Sequence, residues 1–165
     1  MPKFRIEQIA LYPADPAKAI AFLSKIGMGE WARDHVHARG EVFGEPAENQ
    51  ADLAFNYESI AETGKLELEV LRYTRGENWV EHGARIDKVC VSHLGMHVTE
   101  AELVEWREFM AAEGIAVAQE VETLSHTNPV IVGKRRYNYV IFDTYWLLGT
   151  DLKFIVRHMI EPAAA

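Results

Sequence analysis

The chain has 165 residues, 48% hydrophobic and 25% charged, with a formal net charge of −8. These values suit one globular domain over residues 1–165 and argue against nucleic acid as a partner, since phosphate binding needs a basic face. A single cysteine, Cys90, excludes an intramolecular disulfide and a cysteine-rich zinc site.

The opening MPKFRIEQ has no apolar signal region, and no stretch reaches the length of a membrane span. The expectation is a cytoplasmic protein with no membrane partner. Residues 4–12 (FRIEQIALY) alternate as a strand. A helix follows, with Asp15 as cap, Pro16 in its first position and Gly27 as its stop. Strands are expected over 30–38, 51–58 and 65–73. In the last of these Leu66, Leu68 and Val70 share one face, and Glu67 and Glu69 share the other. The polar run 74–89 reads as a connector. The order then repeats over 90–158. A strand at 91–98 is followed by a helix with Thr99 and Glu102 in capping-box spacing and Gly114 as its stop. Strands are expected over 115–123, 135–143 and 150–158, and 159–165 is a tail. Two βαβββ modules, 4–73 and 90–158, are the result. Their spacing agrees: 59 or 61 positions separate Gln8 from Glu67 or Glu69, and 60 separate His93 from Lys153.

VSHLGMHV, residues 91–98, raises the question of a two-histidine metal grip. The capping box begins its helix at Thr99, and Gly95 disfavours helix before it. On a strand, His93 and His97 share a face but lie about 13 Å apart, at about 3.3 Å per residue. Ligands sit only about 2.0–2.2 Å from a zinc-like ion, so the two cannot share a metal. Any partners must come from the polar faces of other strands: Gln8 and Tyr12; Glu67 and Glu69; Arg135, Tyr137 and Tyr139; Lys153 and Arg157. If both modules curve with their helices outside, these faces line one cleft, and so many ionisable groups suggest a site. His35, His37 and His126, near loops or strand ends, are weaker candidates as additional ligands or lid groups.

Four segments resemble the vicinal oxygen chelate superfamily of glyoxalases, extradiol dioxygenases, methylmalonyl-CoA epimerases and metal-free bleomycin-resistance proteins. QIALYPADPAKAIAFLSKIGM (8–28) is similar to the first strand and helix of the glyoxalase pattern, and LELEVLRY (66–73) to the strand with the first glutamate ligand. HLGMHV (93–98) resembles the His-(Ile/Leu)-Gly-(Ile/Met)-x-Val segment, and GTDLKFIV (149–156) the closing strand. The resemblance implies an α+β fold in which the two modules form a curved, barrel-like mixed sheet with helices outside. It implies a divalent metal ion (Zn, Ni, Mn or Fe) held by Gln8, His93 and one of Glu67 and Glu69. Glu69 is favoured because it lies four before Tyr73. The family's second glutamate is replaced by Lys153, which speaks against the glyoxalase reaction itself. A dioxygenase normally needs two histidines and a carboxylate, and position 8 is not a histidine.

The primary expectation is therefore a metal-dependent lyase or isomerase acting through an enolate-type intermediate, with Glu67 or Lys153 moving the proton. Tyr12, His97, Arg135, Tyr137, Tyr139 and Arg157 would form the substrate pocket. The alternative is a metal-free binding or resistance protein, with Lys153 neutralising a glutamate and a pocket wall of Tyr137, Tyr139 and Trp146. The family resemblance also allows a homodimer, joined through the exposed edges of open half-barrels.

Overall fold

The computed structural model describes residues 3–56, 66–82 and 91–160. The first half comprises β1 (Gln8–Leu11), α1 (Pro16–Lys25), β2 (Trp31–Val42), β3 (Glu45–Asn56) and β4 (Glu67–Gly76). The second comprises β5 (Val91–His97), α2 (Glu100–Ala112), β6 (Val117–Ser125), β7 (Arg135–Phe142), the one-turn helix α3 (Tyr145–Leu148) and β8 (Asp151–Met159). The strands close into a mixed barrel in the order β1-β4-β3-β2-β6-β7-β8-β5, the α+β barrel-like sheet expected from sequence. Within each half the first and last strands pair in parallel, β1 with β4 and β5 with β8. The halves join antiparallel along two seams, β1–β5 and β2–β6. Among the described residues no helix is long and apolar enough to cross a membrane.

Both expected helix starts form. Asp15 accepts from the Lys18 backbone N–H at 3.0 Å, and Thr99 and Glu102 make a complete capping box. Gly27 and Gly114 follow the helices in the left-handed region. Helix α2 buries Leu103, Trp106 and Met110 against Met96, Val140, Phe142, Phe154 and Val156 on the outer face of the sheet. Each such side chain removes apolar surface from water worth about 1.5–3 kcal/mol. Helix α1 does the same more modestly, with Ile20 on Ala54 and Val70.

Three differences from the sequence reading bear on the site. First, the expected loop between strands 30–38 and 51–58 is instead a long hairpin, with β2 and β3 paired throughout from Trp31↔Asn56 to Val42↔Glu45. Its turn uses Phe43 (φ 48°) and Gly44 (φ 81°), the pair of positive φ values that matches strand twist. The polar composition of 39–50 hid it, because pairing with β3 and β6 rather than burial makes it a strand. Second, β4 continues to Gly76, and Trp79 and Val80 are buried in the barrel core, so the early part of the presumed connector is packed structure. Residues 57–65, which hold the expected end of the third strand, lie outside the described residues, as do 83–90 with Cys90, and 161–165. Third, the one-turn helix α3 buries none of its four residues, Tyr-Trp-Leu-Leu, and is too short to show a helical period. It is tied down by Asp151 Oδ1, which accepts from the Thr144 and Tyr145 N–H groups at 3.0 Å.

Candidate functional site

Strand alternation and register assemble the site. Across β4, β1, β5 and β8 the register sets Glu67, Gln8, Gly95 and Lys153 side by side. One step along, Glu69, Ala10 and His93 form the next row. The small residues between the long ones matter. A Cβ at Gly95 would lie 3.0 Å from Gln8 Oε1 and 3.1 Å from Gln8 Cβ. A side chain at this position would crowd Gln8 as it crosses the strand toward Lys153.

The result is a buried cluster of four side chains. Gln8, Glu69, His93 and Lys153 are each at most 5% exposed. Gln8 Nε2 donates to Glu67 Oε1, which orients the amide so that Gln8 Oε1 faces His93 Nε2 at 2.9 Å. That contact makes Nε2 the protonated nitrogen of a neutral imidazole, with Nδ1 3.2 Å from the Ser92 hydroxyl. Glu69 Oε2 lies 3.2 Å from the neutral His93 Nε2 and forms an ion pair with Lys153 Nζ at 3.7 Å, with an aligned hydrogen bond to neither. Lys153 Nζ is also 3.3 Å from both Gln8 Oε1 and His93 Nε2, and 4.1 Å from the centre of the Tyr139 ring.

Burial, then the Lys153 charge, holds the His93 imidazole down at about 4. Burial alone would raise the Glu69 carboxyl, but Lys153 and His93 outweigh it and the net direction is down. Glu67 goes the other way: burial first, then the Glu69 charge, push it up to about 7. Tyr139 is raised well above the ordinary phenol value by burial and by Glu69.

These shifts oppose one another in stability. Glu67 binds its proton more tightly in the folded state, so its contribution is present below pH 4.5 and lost as pH rises through about 7. His93 contributes stability above pH 6.5 that is lost as pH falls toward 4. The two slopes cancel between pH 4.5 and 6.5. The stability of Glu67→Gln relative to the unmodified protein is expected to rise by up to about 3 kcal/mol from pH 4.5 to pH 8. Urea midpoints of both proteins at pH 4.5, 6.5 and 8 measure this; a pH-independent difference would contradict it.

The candidate metal ligands do converge, but they already surround a cation. Gln8 Oε1, Glu69 Oε2 and His93 Nε2 all lie 3.3–3.7 Å from Lys153 Nζ. An ion bonded to them at about 2.0–2.2 Å would occupy the space of the ammonium group and add like charge beside it. This donor set does not fit a divalent metal. Among the described residues no group of three or more His, Cys, Asp or Glu side chains could hold one either. That includes His35, His37 and His126; His35 instead contacts Asp52 at 2.7 Å.

Beside the cluster lies a cavity of about 220 Å³. Gln8, Glu67, His97, Arg135, Tyr137, Tyr139 and Arg157, all expected in the site, line it. Tyr137 and Tyr139 stack with centres 5.8 Å apart, and the Arg157 guanidinium lies 5.9 Å from the Tyr137 ring. Arg157 also approaches His97 Nε2 at 3.4 Å, while Glu7 meets His97 Nδ1 at 3.2 Å. Tyr12 is not on this wall. Its hydroxyl donates to Glu81, and Arg72 lies 4.9 Å over its ring, within the Trp79 core. Trp146 is 67% exposed and does not line the cavity. The sequence reading missed Asp34, a buried carboxylate on the wall. The available signal was alternation: Ala32, Asp34 and Val36 face inward while His35 and His37, the residues singled out, face away.

No model of a known protein family matches the sequence, and neither does any curated protein sequence. Solved structures share the fold. Methylmalonyl-CoA epimerase from Streptomyces coelicolor, in complex with 2-nitronate-propionyl-CoA, is 14% identical with a TM-score of 0.54, covering 96% of this chain and 98% of that one. Another methylmalonyl-CoA epimerase, in complex with methylmalonyl-CoA and NH4+, is 15% identical with a TM-score of 0.53 over 95% and 96% of the chains. A hypothetical protein from Bacillus halodurans is 11% identical with a TM-score of 0.50 over 98% of each. At these identities the likeness is one of architecture: the chain has the fold of methylmalonyl-CoA epimerase.

Proposed function

We propose that this is a vicinal-oxygen-chelate-type protein that works without a divalent metal, binding a small carboxylate-bearing molecule in the 220 Å³ cavity and shifting a proton within it. The observation that carries this reading is Lys153, whose ammonium lies 3.3–3.7 Å from Gln8, His93 and Glu69, the favoured metal ligands. It is preferred over the metal-dependent lyase or isomerase for that reason.

Arg135 and Arg157 suit a substrate carboxylate, and the tyrosine pair suits a flat or apolar body. Glu67 faces the cavity with a carboxyl near neutrality, the range where a general base is most effective. In the proposed step a C–H bond next to a carbonyl breaks. The proton goes to the Glu67 carboxylate, and the electron pair moves onto the carbonyl oxygen, facing a guanidinium. Return of a solvent-exchanged proton from Glu67 to the same face places solvent hydrogen at that carbon, and its delivery to the neighbouring carbonyl carbon on that face gives an isomer. The cavity is far larger than the about 10–15 Å³ that one water needs by the same measure, and it has room for a small acyl group.

Two measurements test the reading. Purified protein is expected to contain no stoichiometric divalent ion; about one ion per chain, lost in His93→Ala, would overturn the metal-free assignment. Methylmalonyl-CoA serves as a first probe for solvent deuterium uptake at its acidic carbon. Any uptake catalysed by the protein is expected to fall by about 100-fold or more in Glu67→Gln. Uptake unchanged in that variant removes Glu67 as the base.

A further inference from the structure

His97, the second histidine of VSHLGMHV, has a charged group on either side of its ring. Its backbone N–H and its ring nitrogen Nδ1 both meet Glu7 Oε2, at 2.9 and 3.2 Å. Arg5 Nε donates to the other Glu7 oxygen at 3.1 Å. On the far side of the ring, Arg157 Nη2 lies 3.4 Å from His97 Nε2. A guanidinium only donates, so Nε2 is the bare nitrogen, and Nδ1 carries the proton and gives it to Glu7. This is the reverse of His93, whose proton is on Nε2. The pair is within reach of a ligand. The His97 side chain is 38% exposed, Arg157 is exposed, and both line the cavity. Among the described residues no carboxylate forms an ion pair with Arg157; its guanidinium meets His97 and the Tyr137 ring.

We infer that Arg157 and His97 form one carboxylate clamp, and that a ligand binding there draws a proton from solvent onto His97 Nε2. This inference rests on the cavity being the carboxylate-binding site. In the free protein, burial first and then the Arg157 charge hold the His97 imidazole down, against the upward pull of Glu7. A carboxylate on Arg157 cancels that charge and presents an oxygen to Nε2, which can bond it only as N–H. The imidazolium then lies between two anions, Glu7 on Nδ1 and the ligand on Nε2. Burial alone would raise the Glu7 carboxyl, but the His97 backbone N–H, Arg5 and the His97 ring outweigh it and keep it an anion. Two other charged groups bear on the clamp. Lys153, on β8, adds to the downward pull on His97. Glu67, on β4, has its carboxyl near 7 and can itself take a proton when an anion enters, so the test must separate the two. The sign follows from linkage. His97 titrates below its ordinary 6.5 in the free protein and about one to three pH units higher in the complex. Between those two points the complex holds the extra proton, and affinity falls by up to about tenfold for each unit that pH rises.

Benzoate is the probe, a carboxylate on a flat ring that suits the Tyr137 and Tyr139 pair.

Ring nitrogen resonances of the full, unmodified chain, followed from pH 5 to pH 8, are expected to show the His97 midpoint rising by at least about one pH unit under saturating benzoate. Calorimetry in two buffers of different ionisation enthalpy counts the protons. Uptake on binding should persist in Glu67→Gln and vanish when His97→Asn is added to it, since the asparagine amide can still donate to Glu7 but takes no proton. Arg157→Ala should weaken benzoate by about tenfold or more. Benzoate bound with the His97 midpoint unmoved overturns the inference and leaves the cavity reading standing. So does uptake that survives His97→Asn, or binding undiminished in Arg157→Ala. A protein that does not bind benzoate overturns both. The resonance measurement needs no variant, so it decides the matter even if a substituted chain unfolds.

Discussion

Lys153→Ala is expected to lose about 3–5 kcal/mol of stability at pH 7, and to recover much of it when a divalent ion is added. The loss follows from burial: Glu69 is 1% exposed, and its countercharge is the ammonium 3.7 Å away. Removing one partner of a buried ion pair leaves an uncompensated charge. The recovery follows from the vacated space. Alanine removes the ammonium but keeps Gln8 Oε1, Glu69 Oε2 and His93 Nε2 around the same point, and the His93 proton can move to Nδ1, which faces the Ser92 hydroxyl. A cation that binds only the folded variant stabilises it in proportion to the logarithm of its concentration over its dissociation constant. Thermal unfolding of both proteins with and without millimolar Zn or Mn reads the effect. The variant's midpoint should rise with metal while the unmodified protein stays unchanged. A variant as stable as the parent would mean that Glu69 takes up a proton at little cost. A variant that is destabilised yet indifferent to metal would mean that the three ligand atoms hold their places only around the lysine.

Gly40→Ala is expected to disrupt the β2–β6 seam, with a loss of at least about 3 kcal/mol, at or above the usual range for overpacking. A Cβ at this position would lie 1.9 Å from the Glu120 carbonyl oxygen and 2.8 Å from the Val121 Cα. Both are backbone atoms of the paired strand, fixed by register on either side, so neither can swing away. Gly44→Ala is the control. Gly44 has a left-handed φ of 81° but nothing within 4 Å of an added Cβ, so it should lose only about 1–2 kcal/mol. Urea unfolding of the two variants gives the order. If Gly44→Ala proves the worse, the seam is looser than the close approach implies.

Much of the site could be read from alternation alone. Period two put Gln8, Glu67, Glu69, His93 and Lys153 on inward faces, and the structure brings them together. Alternation gives a side chain's face but not its depth along the barrel, which depends on strand tilt and on which residues pair. Tyr12 shares a face with Gln8 but is four positions further along, deep enough to join the Trp79 core instead of the cavity. Asp34 was missed for a different reason. Its importance lies in donors from Ser125, Thr127 and Asn128, more than ninety positions away, a partnership that no local pattern reveals. The lysine in the fourth ligand place was visible as an oddity in the sequence. That its ammonium sits among Gln8, Glu69 and His93 required distances.

The two antiparallel seams have a consequence for assembly. Two open half-barrels would each expose unpaired N–H and C=O groups on their outer strands, an invitation to add a strand from another molecule. Here β1 is satisfied by β5, and β2 by β6, within the same chain. Every strand of the barrel has a neighbour on both sides. A second copy therefore cannot add a strand at either seam without first breaking it. The backbone amides of the two seams would keep their protection from hydrogen exchange in any self-association that leaves the seams intact.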